Sequence, residues 1–185
     1  MRINCGNTPT KISDACFDAS HGGWQESVVA ALRESRSTTR LWTLKAFGVR
    51  NYRPQKTDLR QGRGWRIAQW PRLGNVIVVN ADYWRRNMQQ GWLVESTEAG
   101  AMSLYEGDRG EHAELASQIA GERLIEYVMT AQAEFYRWER TPGVPNDRAD
   151  AAVYACALLA LSGIGEPLQQ RQANKTTRRI RHVSI

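Results

Sequence analysis

A change of hydrophobic periodicity within residues 12–47 constrains the fold more than any other feature of the sequence. The short run of small and apolar residues at positions 12–17 predicts a buried strand, which runs into a glycine-containing loop after Asp18. Residues 24–36 carry apolar side chains at helical spacing and predict an amphipathic helix, and residues 41–47 predict a second strand. Strand, loop, helix and strand in this order are typical of an α/β domain.

The rest of the sequence continues this alternation. Residues 66–70 and 75–80 predict two strands joined by a tight turn, and residues 81–92 predict a helix. Further strands are expected at residues 101–105, 124–129 and 133–138, a short helix at residues 112–121, and an apolar helix that begins near Asn146. We therefore expect one domain over residues 1–164, followed by a mobile or partner-ordered basic tail at residues 165–185.

Composition limits the class of protein. The 185 residues are enough for one domain with a sizeable core, and the 25 Lys and Arg against 19 Asp and Glu give a net charge of +6 that favours a polyanionic partner. No apolar run approaches the roughly 20 residues that span a bilayer, so we expect a cytoplasmic protein without membrane contact. The three cysteines and three histidines lack the spacing of a disulfide framework or a zinc site.

Acidic residues at the ends of predicted elements are the candidate catalytic groups. Asp147 and Asp150 lie one helical turn apart at the start of the last predicted helix, and Asp18 ends the first strand. Carboxylate oxygens hold Mg²⁺ or Mn²⁺, and two such ions about 4 Å apart activate water and stabilise the leaving oxygen of a phosphodiester. Asn146 and Asp147 equally suit the cap and first turn of a helix, whereas Asp150 lies past the cap among alanines.

Other catalytic signatures are absent from the sequence. It contains no Gly-x4-Gly-Lys-Ser/Thr loop for a nucleotide phosphate, no Gly-x-Ser-x-Gly nucleophile turn and no Cys/His nucleophile pair. ATP hydrolysis is therefore not predicted for these residues.

Basic residues cluster in a loop between the second and third predicted strands. Residues 48–64 contain five of them, and His21 lies in the loop after Asp18. The five are Arg50, Arg53, Lys56, Arg60 and Arg63. Such a stretch is either a solvated, mobile excursion or a surface that follows DNA phosphates, and all six residues are candidate DNA contacts.

Two segments resemble motifs in the nuclease domain of lambda-type phage terminase large subunits. Residues 12–23 (ISDACFDASHGG) resemble the strand and glycine loop that carry the second acidic residue of that family. Residues 146–155 (NDRADAAVYA) are similar to its late motif, Asn-Glu-x-x-Asp followed by a small residue and Val-Tyr-Ala. Trp138 and the strand and helix of residues 75–93 are similar as well, so the resemblance covers most of residues 11–164.

The resemblance implies a fold, an activity and a set of partners. The fold is RNase H-like, with a mixed central sheet flanked by helices. The implied activity is Mg²⁺- or Mn²⁺-dependent cutting of concatemeric double-stranded DNA during packaging, in the host cytoplasm and with two bound ions. Asp18 matches the strand-end metal ligand, Asp150 matches the last-helix ligand, and Asp147 stands at the family's Glu as an auxiliary residue. The implied partners are DNA, the terminase ATPase portion or small subunit, and the portal protein.

The sequence departs from the family at its N-terminal end. The first acidic residue of the family lies on a strand well upstream, with further strands between, whereas only 17 residues precede Asp18. Residues 1–11 are too few to hold those strands, and the ATPase motor is also absent. The resemblance therefore implies an N-terminally truncated domain, as from a split or degraded prophage gene, that is inactive alone unless another chain supplies the missing acid. Asp14 is a weak substitute, since alternation places it on the same side of the strand as Asp18 but deeper.

Two other functions stay open on the sequence. One is a non-catalytic DNA-binding or portal-docking fragment of a terminase. The other is a different RNase H-like enzyme, such as a resolvase or transposase, for which the late Asn-Asp-x-x-Asp motif is less suitable.

Overall fold

The computed structural model describes residues 2–5, 8–129 and 134–163. These ranges contain nine strands and four α-helices, with one 3-10 turn at Gly22–Trp24. The strands are β1 (Arg2–Cys5), β2 (Thr8–Lys11), β3 (Asp14–Asp18), β4 (Arg40–Phe47), β5 (Arg60–Gly62), β6 (Trp65–Trp70), β7 (Gly74–Asn80), β8 (Glu122–Met129) and β9 (Glu134–Arg140). The helices are α1 (Gln25–Glu34), α2 (Ala81–Gly91), α3 (Arg109–Ala120) and α4 (Asp147–Leu161).

A mixed five-stranded sheet forms the centre of the fold, in the strand order β3-β4-β7-β6-β5. The strands β3, β4 and β7 are parallel, whereas β6 is antiparallel to both of its neighbours. The hairpins β1–β2 and β8–β9 form separate two-stranded sheets. The predicted α/β class with a mixed central sheet is therefore confirmed.

The core lies on both faces of the central strand β7. Its residues Val76, Ile77, Val78 and Val79 are completely buried, as expected for a continuous apolar run in a strand that is covered on both sides. One face packs Leu44, Ile77 and Val79 against Trp84 and Met88 of α2 and against Val153, Ala157, Leu158 and Leu161 of α4. The other face packs Ala68, Val76 and Val78 against Phe47, Tyr52, Trp70 and Leu73. The apolar side of α4 thus anchors the helix that carries the late acidic residues.

Most predicted elements agree with the structure to within a few residues. The predicted helices at residues 24–36 and 81–92 correspond to α1 and α2, and Asn80 caps α2 by accepting a hydrogen bond from the Tyr83 backbone N–H at 3.2 Å. The expected strand at residues 101–105 is wrong, because this segment is irregular and Met102 instead covers Gly91, donating its backbone N–H to the Gly91 carbonyl at 2.9 Å.

The basic loop at residues 48–64 is better anchored than the sequence suggests. Tyr52 packs into the second core cluster, and Asp58 forms an ion pair of 2.5 Å with Arg66 in which the side chains are only 2% and 7% exposed. The loop also ends in the short edge strand β5. The loop is therefore anchored at Tyr52 and Asp58, while most of its residues, including the five basic ones, are exposed as expected.

The N-terminal strands lie outside the central sheet. The strands β1 and β2 pair with each other and are not part of the central sheet. The expected tail at residues 165–185 lies outside the described residues. Among the described helices, none is long and apolar enough to span a membrane.

Candidate active site

The parallel strands bring three chain segments to one edge of the sheet. The carboxyl ends of β3, β4 and β7 lie at Asp18, Phe47 and Asn80, and the register pairs Phe47 with Asn80. The helix α4 packs against both β3 and α2. Ligands of open α/β sheets bind outside the carboxyl ends of parallel strands, so this edge is the expected position of a site.

Asp18 is exposed at the end of β3, where the chain leaves the sheet. Its Oδ1 atom accepts a hydrogen bond of 2.8 Å from the Ser20 backbone N–H. The following loop is tied to β4, because Ala19 donates to the Leu44 carbonyl at 2.8 Å and the Ser20 hydroxyl accepts from the Ala46 N–H at 2.9 Å. The carboxylate of Asp18 is therefore oriented by a backbone contact in a turn that is itself held against β4.

Asp150 lies in the first turn of α4 and has both oxygens engaged. Its Oδ1 atom accepts from Arg85 Nη2 at 2.7 Å, and its Oδ2 atom accepts from Asn146 Nδ2 at 2.6 Å. Burial is the largest influence and raises the pKa of the Asp150 carboxyl above its usual value, against the charge and hydrogen bond of Arg85. Asp150 is thus a half-buried acid, held in position by an arginine and an amide.

Tyr154 lies near both acidic residues. It lies one helical turn after Asp150, on the same face of α4. Burial raises the pKa of the Tyr154 hydroxyl most, and the nearby charges of Asp150 and Asp18 raise it further. Asp18 and Asp150 are 132 positions apart in the sequence, yet both lie within electrostatic reach of the same phenol.

Asp147 and Asn146 have different roles at the start of α4. Asp147 is the exposed first residue of α4, and its negative charge interacts favourably with the positive end of the helix dipole. Asn146 occupies the cap position but makes no side-chain capping bond, since its amide instead donates to Asp150. The auxiliary role expected for Asp147 has no contact to support it among the described residues.

Asp14 lies away from this edge. It begins β3, four residues before Asp18, and accepts from Arg40 Nε at 2.5 Å and from Trp42 Nε1 at 3.1 Å. Four residues of strand separate the two carboxylates by about 13 Å. Asp14 therefore takes part in an ion pair at the opposite end of the strand from Asp18.

A cluster of three carboxylates around Arg85, one of them Asp150, was not predicted from the sequence. Arg85 of α2 contacts three carboxylates: Asp150 at 2.7 Å, Glu122 at 2.6 Å and Asp82 at 3.6 Å. Burial opposes the charge of Arg85, but the charges of Glu122 and Asp150 outweigh it, and the pKa of Arg85 lies above its usual value. The spacing of Asp82 and Arg85 on the predicted helix was the only signal in the sequence, since Glu122 comes from a distant strand.

The six candidate DNA contacts are all exposed but do not form one patch. His21 and Arg50 follow β3 and β4 at the carboxyl edge. Arg60 begins β5, which is four strand positions from β3 and therefore about 19 Å away in the sheet. The side chain of Arg53 donates to the carbonyls of residues 49 and 52, Arg63 lies over the Tyr83 ring, and Lys56 is exposed in the loop.

A groove of about 710 Å³ opens beside the carboxyl edge. Its walls are the turn after β4, including Arg50, and the β8–β9 hairpin, including Phe135 and Trp138. Asp82 forms part of the floor and accepts from the Val49 backbone N–H at 2.7 Å. Of the expected DNA contacts, only Arg50 lines this groove.

Comparisons with models of known protein families, with curated proteins and with solved structures gave no match. The site must therefore be interpreted from its own geometry and from the sequence resemblance. Within the described residues, no three side chains of Asp, Glu, His or Cys lie close enough together to form a metal-binding group.

Proposed function

We propose that this chain is an RNase H-like nuclease domain of the type found in lambda-type phage terminase large subunits. In this proposal it cuts double-stranded DNA during packaging, in the host cytoplasm, with the terminase ATPase portion or small subunit and the portal protein as partners. The observation that supports the proposal is that Asp18, at the carboxyl end of β3, and Asp150, in the first turn of α4, both lie near enough to Tyr154 to raise its pKa. The motifs that carry the resemblance contain these same two acids.

The donor chemistry of the pair fits one hard divalent cation. Mg²⁺ and Mn²⁺ are commonly held by one or two carboxylates, with water and substrate phosphate completing the coordination. Asp18 is exposed and has one oxygen bonded to the Ser20 N–H, whereas Asp150 must share or give up its contact with Arg85. A second ion requires a further carboxylate from outside the described residues.

The side chains of this chain would bind and orient rather than transfer protons. A bound divalent ion would supply Lewis acidity for attack of water on the phosphodiester. The Ser20 N–H fixes the orientation of Asp18, and the Asn146 amide fixes that of Asp150. Tyr154 stays protonated at neutral pH, because burial and the nearby charges of Asp150 and Asp18 raise its pKa.

A plasmid-nicking assay with Mn²⁺ tests the proposal. Asp18→Asn and Asp150→Asn are each expected to lower the nicking rate at least 100-fold, since each removes a charged metal ligand. Glu34→Gln is the matched control, because it removes the same charge from an exposed residue at the end of α1, a full helix length after the loop that follows Asp18. Nicking that survives both aspartate substitutions, or that is lost equally in the control, would contradict an intrinsic nuclease site.

A second function is favoured by the contacts of Asp150. Asp150 is already paired with Arg85, and no third metal-binding side chain joins Asp18 and Asp150 among the described residues. These features suit a domain that keeps the nuclease fold but only binds DNA or the portal. Such a fragment would bind DNA with a steep dependence on salt and would not cut it. Measuring binding by fluorescence anisotropy at several salt concentrations, together with the nicking assay, distinguishes the two functions.

A further inference from the structure

We infer that Arg85 is a built-in competitor of the metal ion at Asp150. In this inference, which rests on the proposed function, the Arg85 guanidinium occupies Asp150 in the metal-free protein. When a divalent cation binds Asp150, the guanidinium leaves that carboxylate and keeps its contacts with Glu122 and Asp82. Arg85 is thus a positioning residue that sets the metal affinity of the site.

The competition follows from the atoms that Arg85 contacts. Its Nη2 atom donates to Asp150 Oδ1 at 2.7 Å, and that oxygen belongs to the carboxylate expected to bind the metal. The other Asp150 oxygen already accepts from Asn146. A divalent cation at Asp150 therefore meets a guanidinium charge in contact with the same carboxylate, and like charges repel strongly in a partly buried site.

Arg85 has other anionic partners besides Asp150 in the structure. Glu122 Oε2 lies 2.6 Å from Arg85 Nε, and the Glu122 side chain is only 6% exposed. Neither of these two atoms makes a hydrogen bond of good geometry, so the contact has room to improve when Arg85 moves. Asp82 Oδ1 lies 3.6 Å from Nη1 and Trp138 places its ring 5.9 Å from the guanidinium carbon, so cation-binding groups remain on this side.

The charge of the cluster favours this exchange. Asp82, Glu122 and Asp150 face Arg85 with three negative charges, and Arg140 adds a second cation 3.6 Å from Glu122. When Arg85 leaves Asp150, Glu122 and Asp82 still balance its charge. A metal ion at Asp150 therefore costs the displaced arginine one of its three carboxylate contacts.

Metal binding to the full chain tests the inference by calorimetric titration with Mn²⁺. Arg85→Gln is expected to bind Mn²⁺ at least tenfold more tightly than the unaltered chain, and adding Asp150→Asn is expected to abolish that gain. Arg148→Gln is the matched control, because it also removes one arginine charge close to Asp150. Arg148 lies on α4, two residues before Asp150, and pairs with Glu114 at 2.5 Å instead of with Asp150. Its Mn²⁺ affinity should change less than threefold.

Removal of Arg85 leaves Glu122 buried without its nearest cation, and the variant could unfold for that reason alone. The double substitution Arg85→Gln with Glu122→Gln removes both charges and carries the same expected gain in affinity. In the unaltered chain, the Arg85 Nε–H resonance should shift during a Mg²⁺ titration with the midpoint of metal binding. A resonance that does not move, or equal Mn²⁺ affinity with and without Arg85, overturns the inference.

The failures of the two proposals are distinguishable. If the unaltered chain binds Mn²⁺ through Asp18 and Asp150 but removal of Arg85 brings no gain, the inference fails and the proposed function survives. If removal of Arg85 tightens Mn²⁺ binding but no variant nicks DNA, the nuclease proposal fails and the competition stands. If neither the unaltered chain nor the Arg85 variants bind Mn²⁺, both are overturned.

Discussion

The buried ion pair between Asp58 and Arg66 should be a main determinant of the stability of the basic loop. Asp58 Oδ1 lies 2.5 Å from Arg66 Nη1, and the two side chains are 2% and 7% exposed. Asp58 also accepts a hydrogen bond of 2.7 Å from the Gln55 backbone N–H, which holds the loop against the sheet. The pair therefore fixes a segment that carries several of the candidate DNA contacts.

Asp58→Ala leaves the Arg66 charge buried without its carboxylate. Breaking a buried ion pair by removing one partner costs about 3–5 kcal/mol of unfolding free energy, out of roughly 5–15 kcal/mol for a typical domain. At about 2–4 °C per kcal/mol for a domain of this size, the melting temperature should fall by roughly 6–20 °C. Replacing both partners, as in Asp58→Leu with Arg66→Met, should recover most of the loss because no buried charge remains.

Urea unfolding followed by tryptophan fluorescence measures this effect. Glu26→Ala is the control, because its ion pair with Arg72 has a distance of 3.8 Å and side chains that are 83% and 86% exposed. Such an exposed pair contributes at most about 1 kcal/mol. If Asp58→Ala costs no more than Glu26→Ala, or if the double replacement is as unstable as the single one, the reasoning about the buried charge is refuted.

Two further predictions concern a glycine and a pH dependence. Gly64→Ala should destabilise the domain by about 2–5 kcal/mol, because the residue has a φ of +74° and an added Cβ would lie 2.3 Å from the Tyr83 ring. Gly74→Ala has the same φ with no atom within 4 Å, and its smaller expected loss of about 1–2 kcal/mol in urea unfolding isolates the cost of the left-handed conformation, so equal losses would exclude the steric cause. The hydrogen bond from Arg40 holds the pKa of Asp14 at about 2, below the usual 3.8, so its stabilising contribution is complete above pH 4 and is lost as the pH falls towards 2. Asp14→Asn should therefore reduce the loss of stability between pH 5 and pH 2.5, and an unchanged acid profile would contradict this assignment.

The position of the candidate site could be predicted in part from local sequence. Asp18 ends its predicted strand and Asp150 opens its predicted helix, and both are found there, because strand and helix ends depend on neighbouring residues and on hydrophobic periodicity. The contact between Arg85 and Glu122 could not be predicted in this way. It joins α2 to a strand more than 30 residues later, and neither residue carries a local pattern that names its partner.

The sequence by itself determined the α/β class, the succession of most strands and helices, and the two acids at the ends of their elements. These features follow from periodicity, capping and turn residues, which act over a few neighbouring positions. Only the tertiary structure decided that three parallel strands bring Asp18 to the edge where Asp150 and Tyr154 lie, and that Asp150 is already paired with an arginine. Sheet order and burial arise from packing between distant segments, and for that reason the charge balance of the site is a property of the folded chain.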